Sequence, residues 1–63
     1  MKWTPENIKA LRKRLGLNQT EFGQQLGYAQ PQVRISELER GEMKPGGAVM
    51  LLLDMLNKQE TTA

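Results

Sequence analysis

The chain has no cysteine and no histidine among its 63 residues. Disulfide bonds are therefore excluded, and so are the common zinc and iron sites that depend on thiolate or imidazole ligands. Aromatic residues are also scarce, with one tryptophan, one tyrosine and one phenylalanine. A domain of this size buries only about 60% of the surface that its unfolded chain exposes. We therefore expect one small domain of marginal stability with no covalent or metal crosslink.

Long apolar runs are missing as well. The longest, residues 48–53, is far shorter than the roughly 20 residues that a membrane-spanning helix needs, and the N-terminal MKWTPEN has no apolar signal core. We expect a soluble, cytoplasmic protein with no membrane partner. The net charge of +2 and the pI near 9.3 are mildly basic. This balance permits nucleic-acid binding but does not by itself indicate it.

The sequence shows no catalytic site. Its serine, threonine and lysine residues are isolated from any group that would act as a positioned base. Glu37 and Glu39 are two residues apart, and side chains at that spacing on a helix do not face each other. We predict that the protein is not an enzyme, and we expect no cofactor, no metal and no small-molecule ligand.

The N-terminal segment has the signals of a helix start. Residues 4–6, Thr-Pro-Glu, supply a cap, a first-turn proline and an acid near the positive helix end. Ile8, Leu11 and Leu15 recur at helical spacing and form an inward stripe. Trp3 and Ile8 stand at the positions of a hydrophobic staple, which fixes the direction of chain entry.

A second helix is predicted to begin near Gln19. Asn18 can cap it, and Glu21 stands where the acid of a capping box reaches back. Phe22 and Leu26 form its apolar stripe, and Gly27 ends it because glycine adopts the left-handed conformation without strain. Gly23 leaves room for a crossing helix to approach closely.

A third helix follows at once, from Pro31 to about Arg40. Proline suits its first turn, Gln30 takes the cap position and Gly41 ends it. With a step of about 100° per residue, Pro31, Ile35 and Leu38 share its inner face. Two short helices joined by a glycine-marked turn form the layout of a helix-turn-helix DNA reader.

The segment from Gly46 to about Lys58 is predicted to be a fourth helix. Its inward stripe consists of Val49, Leu52, Leu53 and Leu56. A second apolar strip, Ala48, Leu51 and Met55, lies on another face and is interpreted as a homodimer interface. The alternative is that the chain's own helices cover this strip.

These motifs together resemble the phage repressor and Cro-type (XRE) helix-turn-helix family. The match runs from Asn7 to about Leu56 and depends on the order IKALRKRLGLNQTEF, LG, SELERG and KPGG before an apolar helix. The resemblance implies an all-α fold, a small four- or five-helix bundle of the lambda-repressor-like helix-turn-helix type. Residues 1–58 would form the DNA-binding domain and residues 59–63 a short flexible tail. It also implies an ion pair between Arg12 and Glu39.

The sequence departs from the family pattern at one point. In that pattern the buried aliphatic residue of the recognition helix would be Val33 and its partner Ser36, and serine is a poor core residue. Ile35 and Leu38 keep the correct spacing to each other and to Gly41. We infer that the turn, or the first turn of the recognition helix, is longer by two residues.

Contacts to DNA are expected from two sets of residues. Glutamine can bond adenine, arginine can bond guanine O6 and N7, valine can pack against a thymine methyl, and glutamate can accept from cytosine N4. The expected base contacts are Gln30, Gln32, Val33, Arg34, Ser36 and Glu37. The expected phosphate contacts, which set register rather than sequence preference, are Gln19, Tyr28, Arg40 and Lys44. The alternatives are solvated side chains on the helix surface and, for Tyr28, a packed aromatic of the turn.

The sequence therefore predicts a sequence-specific, double-stranded DNA-binding transcriptional regulator. We expect a repressor that acts as a homodimer on an inverted-repeat operator in a phage or mobile-element operon. The alternative is a protein-binding module, such as an antitoxin or adaptor, that uses the same helical scaffold.

Overall fold

The structure is a computed structural model that describes residues 3–61, with side chains described for residues 3–58. It consists of four α-helices: α1 (Pro5–Arg14), α2 (Gln19–Gln25), α3 (Pro31–Arg40) and α4 (Gly47–Thr61). No strand occurs within the described residues. The predicted all-α bundle is confirmed with four helices rather than five.

The first two helices begin at side-chain caps. The Thr4 hydroxyl accepts a hydrogen bond from the Asn7 backbone N–H at 3.2 Å. Asn18 and Glu21 form the predicted capping box, in which Asn18 Oδ1 accepts from the Glu21 N–H at 2.7 Å and Glu21 Oε1 from the Asn18 N–H at 3.0 Å. Gln30 does precede α3, although its side chain makes no capping bond.

Helices α1, α2 and α3 all end at a glycine with positive φ, between +73° and +81°. At the end of α3, the Gly41 N–H donates to the Leu38 carbonyl and the Glu42 N–H donates to the Glu37 carbonyl. This pair of bonds is the Schellman motif, which satisfies carbonyls that the helix end would leave without partners. The chain can therefore reverse direction within a few residues.

The core is formed by apolar residues from all four helices. Ile8, Leu11, Phe22, Leu26, Ile35, Leu38 and Leu53 are buried, and Trp3 joins them. Helices α2 and α3 approach closely at Gly23, where a Cβ atom would lie 2.4 Å from Pro31 Cβ. The predicted role of Gly23 is thereby confirmed.

The inner face of α3 has the shifted register inferred from the sequence. Ile35 and Leu38 are completely buried, whereas Val33 is 50% exposed and Ser36 is only partly buried. The two positions that the family pattern would bury therefore point away from the core, and the next pair along the helix replaces them.

Helix α4 packs chiefly on α1. Leu53 is buried, and Val49, Leu52 and Leu56 pack against the core. The helix starts one residue later than predicted, because the Gly46 carbonyl accepts the first helical bond, from the Met50 N–H at 2.9 Å.

The helix also continues past the predicted end at Lys58, to Thr61. The predicted tail, residues 59–63, thus includes the last helical residues. Its final two residues, like the first two of the predicted domain, lie outside the described residues.

Trp3 connects the N-terminal segment to α4. Its side chain is buried beside Ile8, as a hydrophobic staple requires. Its indole Nε1–H also donates to Asp54 Oδ1 at 2.8 Å. A second bond to α4, from Arg14 Nη2 to Asn57 Oδ1 at 3.0 Å, lies at the surface. These bonds fix the orientation of α4 relative to α1.

Candidate nucleic-acid interface

The outward side of α3 and the start of α2 enclose a shallow, open depression of about 250 Å³. The residues that line it are Gln19, Gln32, Val33, Ser36 and Arg40. Three of the expected base contacts and two of the expected phosphate contacts therefore share one surface. The Gln32 and Ser36 side chains make no hydrogen bond to any described residue, and Val33 is 50% exposed, so all three are available to a ligand.

Arg34 and Glu37 lie along the opposite edge of α3 from Gln32. The Arg34 guanidinium donates from Nη1 to Glu37 Oε1 at 2.8 Å. Acids and bases three residues apart are neighbours on a helix surface, so the sequence carried a signal for this pair that our sequence analysis did not use. Gln30 is exposed at the N-terminal end of the same helix.

Tyr28 lies in the turn between α2 and α3 and packs partly against the core. Burial raises the pKa of its phenol above the ordinary value of 10.0, and the nearby positive charge of Arg34 opposes that rise. Its backbone N–H donates to the Gly23 carbonyl at 3.0 Å and ends α2. The ring is thus packed in part against the core, and contact of its hydroxyl with a phosphate stays a prediction.

Arg40 and Lys44 lie toward the C-terminal end of α3. Arg40 forms two hydrogen bonds to the Glu42 carboxylate, each of 3.0 Å, and the two side chains are 57% and 58% exposed. Exposed pairs of this kind contribute only about 0 to 1 kcal/mol, so Arg40 can exchange Glu42 for a phosphate at little cost. Lys44 is exposed in the segment that follows.

The expected Arg12–Glu39 ion pair is present. Arg12 Nε and Nη2 donate to the two oxygens of Glu39 at 2.6 and 3.2 Å, and Arg12 Nη1 donates to the Leu17 carbonyl at 3.1 Å. The side chains are only 14% and 6% exposed. Glu39 also accepts from Gln19 Nε2 at 3.3 Å. One carboxylate on α3 thereby contacts both α1 and α2 beneath the depression.

The contact between Gln19 and Glu39 was not predicted. Gln19 was expected to contact a phosphate, yet its amide nitrogen is held by a protein carboxylate while the rest of the side chain lines the depression. Residues 20 positions apart meet only after the helices have packed, so no local pattern predicts this bond.

The expected dimer strip on α4 is not covered by the chain's own described helices. Leu51 and Met55 are 66% and 57% exposed, and Ala48 is exposed beside them. Of the alternatives left open by the sequence, intramolecular burial is therefore wrong. The strip is separate from the depression on α3, because none of its three residues lines that depression.

Within residues 3–61, no acidic side chains are grouped as a metal ion requires. None of the helices there has both the length and the apolar character for crossing a membrane. All buried side-chain nitrogen and oxygen atoms of the described residues have hydrogen-bond partners. The polar groups that could bind a ligand therefore lie on the surface. Among the surface elements, α3 carries the largest set of the residues predicted to contact DNA.

Comparison with known proteins agrees with this geometry. A sequence model of the family described as Helix-turn-helix matches residues 8–56, which is most of the chain. No curated protein and no solved structure gives a significant match. The matched region includes α1 from Ile8 onward, all of α2 and α3, and α4 as far as Leu56. The chain therefore belongs to the helix-turn-helix family of the phage repressor and Cro (XRE) type, a family of DNA-binding transcriptional regulators.

Proposed function

We propose that the protein is a sequence-specific repressor that binds an inverted-repeat operator as a homodimer, in a phage or mobile-element operon. The observation that carries the proposal is the outward surface of α3. There, Gln32 and Ser36 lie without side-chain hydrogen bonds to the described residues and Val33 is half exposed, in a depression shared with Gln19 and Arg40. Proteins of this motif insert the N-terminal part of the second motif helix into the major groove.

Base contacts are proposed for the early and outward residues of α3. Gln30 and Gln32 have the donor and acceptor to bond adenine N6 and N7, and Arg34 has the fork that matches guanine. Val33, which is half exposed, can contact a thymine methyl, and Ser36 can bond either kind of base edge. Glu37 also belongs to this surface, and its role is considered below.

Phosphate contacts are proposed at the two ends of this surface. Gln19 and Arg40 line its rim, while Tyr28 and Lys44 lie in the segments before and after α3. Such contacts position the protein on the duplex without reading its sequence. They also make affinity salt-dependent, because each neutralised phosphate releases condensed cations.

The strip Ala48, Leu51 and Met55 is proposed as the dimer interface. Two copies joined there would place their α3 helices on successive major grooves, about 34 Å apart, which explains why the operator should be an inverted repeat. Repression would be steric, by occupation of a promoter. Because operator DNA of a bacterial phage or mobile element lies in the cytoplasm, the proposed function requires that location.

DNase footprinting of the protein on its native upstream DNA tests the proposal directly. We expect a protected site with two symmetric halves, whose binding survives competition with unrelated DNA. The competing function, a protein-binding module that uses α4 to hold a different polypeptide, predicts weak and salt-sensitive binding that is the same on every sequence.

Arg34→Ala and Lys44→Ala separate base contacts from phosphate contacts. We expect Arg34→Ala to cost about 1 to 3 kcal/mol at one base pair of the operator and little elsewhere. Lys44→Ala should weaken binding to all sequences alike and reduce the slope of log affinity against log salt by about one. Gel-shift titrations over a salt series measure both effects. An equal loss on every DNA after Arg34→Ala would contradict the base contact.

Leu51→Glu tests the dimer. A charge on this exposed strip should not disturb the monomer, because Leu51 is 66% exposed, but it would be buried unpaired in the dimer. We expect sedimentation equilibrium to show a dimer for the unmodified chain and a monomer for the variant. Thr20→Glu, at an exposed position on α2, is the matched control. If both variants dimerise equally, the strip is not the interface.

A further inference from the structure

Glu37 is joined to Arg34 on the edge of α3 that follows the turn. Arg34 Nη1 donates to Glu37 Oε1 at 2.8 Å, and the side chains are 42% and 27% exposed. The pair is better shielded than Arg40–Glu42, whose side chains are more than half exposed. Glu37 is the less exposed partner, and its hydrogen bond limits the positions that the longer arginine side chain can occupy.

The atoms that form this bond determine which edge of the guanidinium remains free. Arginine presents its donors in a rigid planar fork, and a guanine accepts two parallel bonds at O6 and N7. Since Nη1 is occupied by Glu37, the edge formed by Nε and Nη2 remains available for such a pair of bonds. No other described residue bonds Arg34 through its side chain.

The electrostatic surroundings of Arg34 also include Tyr28 of the turn. The positive charge of Arg34 is close enough to influence the phenol of Tyr28, whose ring packs partly against the core. The contact that holds the guanidinium is therefore its hydrogen bond to the helical carboxylate of Glu37. An arginine held in this way loses less conformational freedom on binding than one extended into solvent.

We propose that Glu37 is a positioning residue, which holds Arg34 so that its Nε–Nη2 edge faces a guanine and does not itself contact a base. The inference rests on the proposed function, because it assigns a role within the same DNA-contacting surface. It replaces the expectation that Glu37 accepts from a cytosine. It also explains how an acidic side chain fits in a helix that approaches phosphates: its charge is already neutralised by Arg34.

A double-mutant cycle on the operator tests this role. Arg34→Ala, Glu37→Ala, Glu37→Gln and the Arg34→Ala/Glu37→Ala double variant are compared on the operator and on operators with each base pair of one half-site replaced. Glu42→Gln is the matched control, because it removes a charge from the other arginine–glutamate pair of the surface. The Glu37 backbone carbonyl, which ends α3, is unchanged in every variant, and thermal melts verify folding.

We expect Arg34→Ala to remove a preference of about 5- to 150-fold at one guanine. Glu37→Ala and Glu37→Gln should each lose a several-fold part of the preference at that same base pair, and Glu37→Ala should have no further effect in the Arg34→Ala background. Glu42→Gln should leave the preference intact. A Glu37 effect at a different base pair, or one that persists without Arg34, would show that Glu37 is itself a base contact and would overturn the proposal.

Nitrogen-15 NMR of the DNA-free protein separates this inference from the proposed function. The Arg34 guanidinium should show slower rotation about its Nη bonds in the unmodified protein than in Glu37→Gln. Equal rotation in both would overturn the positioning role even if the operator is bound specifically. If the unmodified protein instead prefers no DNA sequence, the proposed function fails, and the positioning role fails with it, whatever the NMR result.

Discussion

Removal of either partner of the Arg12–Glu39 pair should be strongly destabilising. Arg12→Ala leaves a carboxylate that is 6% exposed, and among the described residues only the Gln19 amide, at 3.3 Å, then donates to it from a side chain. Glu39→Ala leaves a guanidinium that is 14% exposed with the Leu17 carbonyl. An ion that loses its partner in a buried site retains the cost of its desolvation. Because the carboxylate is the more deeply buried ion, Arg12→Ala should be the worse variant.

The expected magnitude follows from the burial of the pair. Breaking a buried pair costs about 3 to 5 kcal/mol, whereas an exposed pair is worth about 0 to 1. At roughly 0.05 to 0.15 kcal/mol per residue, a chain of this length has a free energy of unfolding of about 3 to 9 kcal/mol. The stability lost with either alanine variant is therefore comparable with the whole free energy of unfolding of the chain. For a domain of this size it corresponds to a fall in Tm of about 12 °C or more.

Thermal and urea unfolding followed by circular dichroism measure these losses. A double variant, Arg12→Met/Glu39→Leu, removes both charges and fills the site with apolar side chains, so it should recover most of the stability that either single alanine variant loses. Arg40→Ala is the matched control, because it breaks an exposed pair and should cost less than about 1 kcal/mol. If Arg12→Ala and Glu39→Ala cost no more than this control, the burial argument is wrong.

Two further predictions concern the helix crossing and the turn. Gly23→Ala should lower the free energy of unfolding by at least about 1 to 3 kcal/mol, because the new Cβ would lie 2.4 to 2.6 Å from both side-chain and backbone atoms of Pro31. Urea unfolding measures this loss. The control is Gly47→Ala, whose Cβ meets nothing within 4 Å and which should be neutral or slightly stabilising. Burial raises the pKa of Tyr28 in the folded protein above 10.0, the value in the unfolded chain. The stability that this rise contributes is complete below pH 10.0 and is lost as the pH rises through the pKa of the folded protein. Between pH 10 and the folded pKa, the free energy of unfolding should therefore fall more steeply with pH for the unmodified chain than for Tyr28→Phe, in urea unfolding at a series of alkaline pH values of about 10 and above. Equal slopes for the two proteins would contradict this prediction.

The helix boundaries were predictable because their signals are local. The capping box of Asn18 and Glu21 spans three residues, and the glycines that end the first three helices act through their own backbone conformation. The start of α4 was misplaced by one residue because Gly46 and Gly47 are both compatible with the cap position. The shifted inner face of α3 was also predictable, since only Ile35 and Leu38 place aliphatic side chains at the required spacing from Gly41.

The polar contacts between helices were not predictable from local pattern. Trp3 and Asp54 are 51 residues apart, and their bond depends on how α4 packs on α1. The Arg12–Glu39 pair was expected only through the family resemblance. By contrast, Arg34–Glu37 follows from helical spacing alone, and it was missed because both residues had been assigned to bases. Two opposite charges three residues apart on one helix are a sufficient local signal for such a pair.

The exposed side of α3 separates stability from recognition. Gln32, Val33 and Ser36 form no polar bond within the described chain, and the burial that holds the helix in place comes from Ile35 and Leu38 on the other side. Exchanges at these three positions should therefore leave the melting temperature nearly unchanged while they alter the preferred operator. A library varied at these sites alone would yield folded regulators with new targets, and the scaffold would need no compensating change.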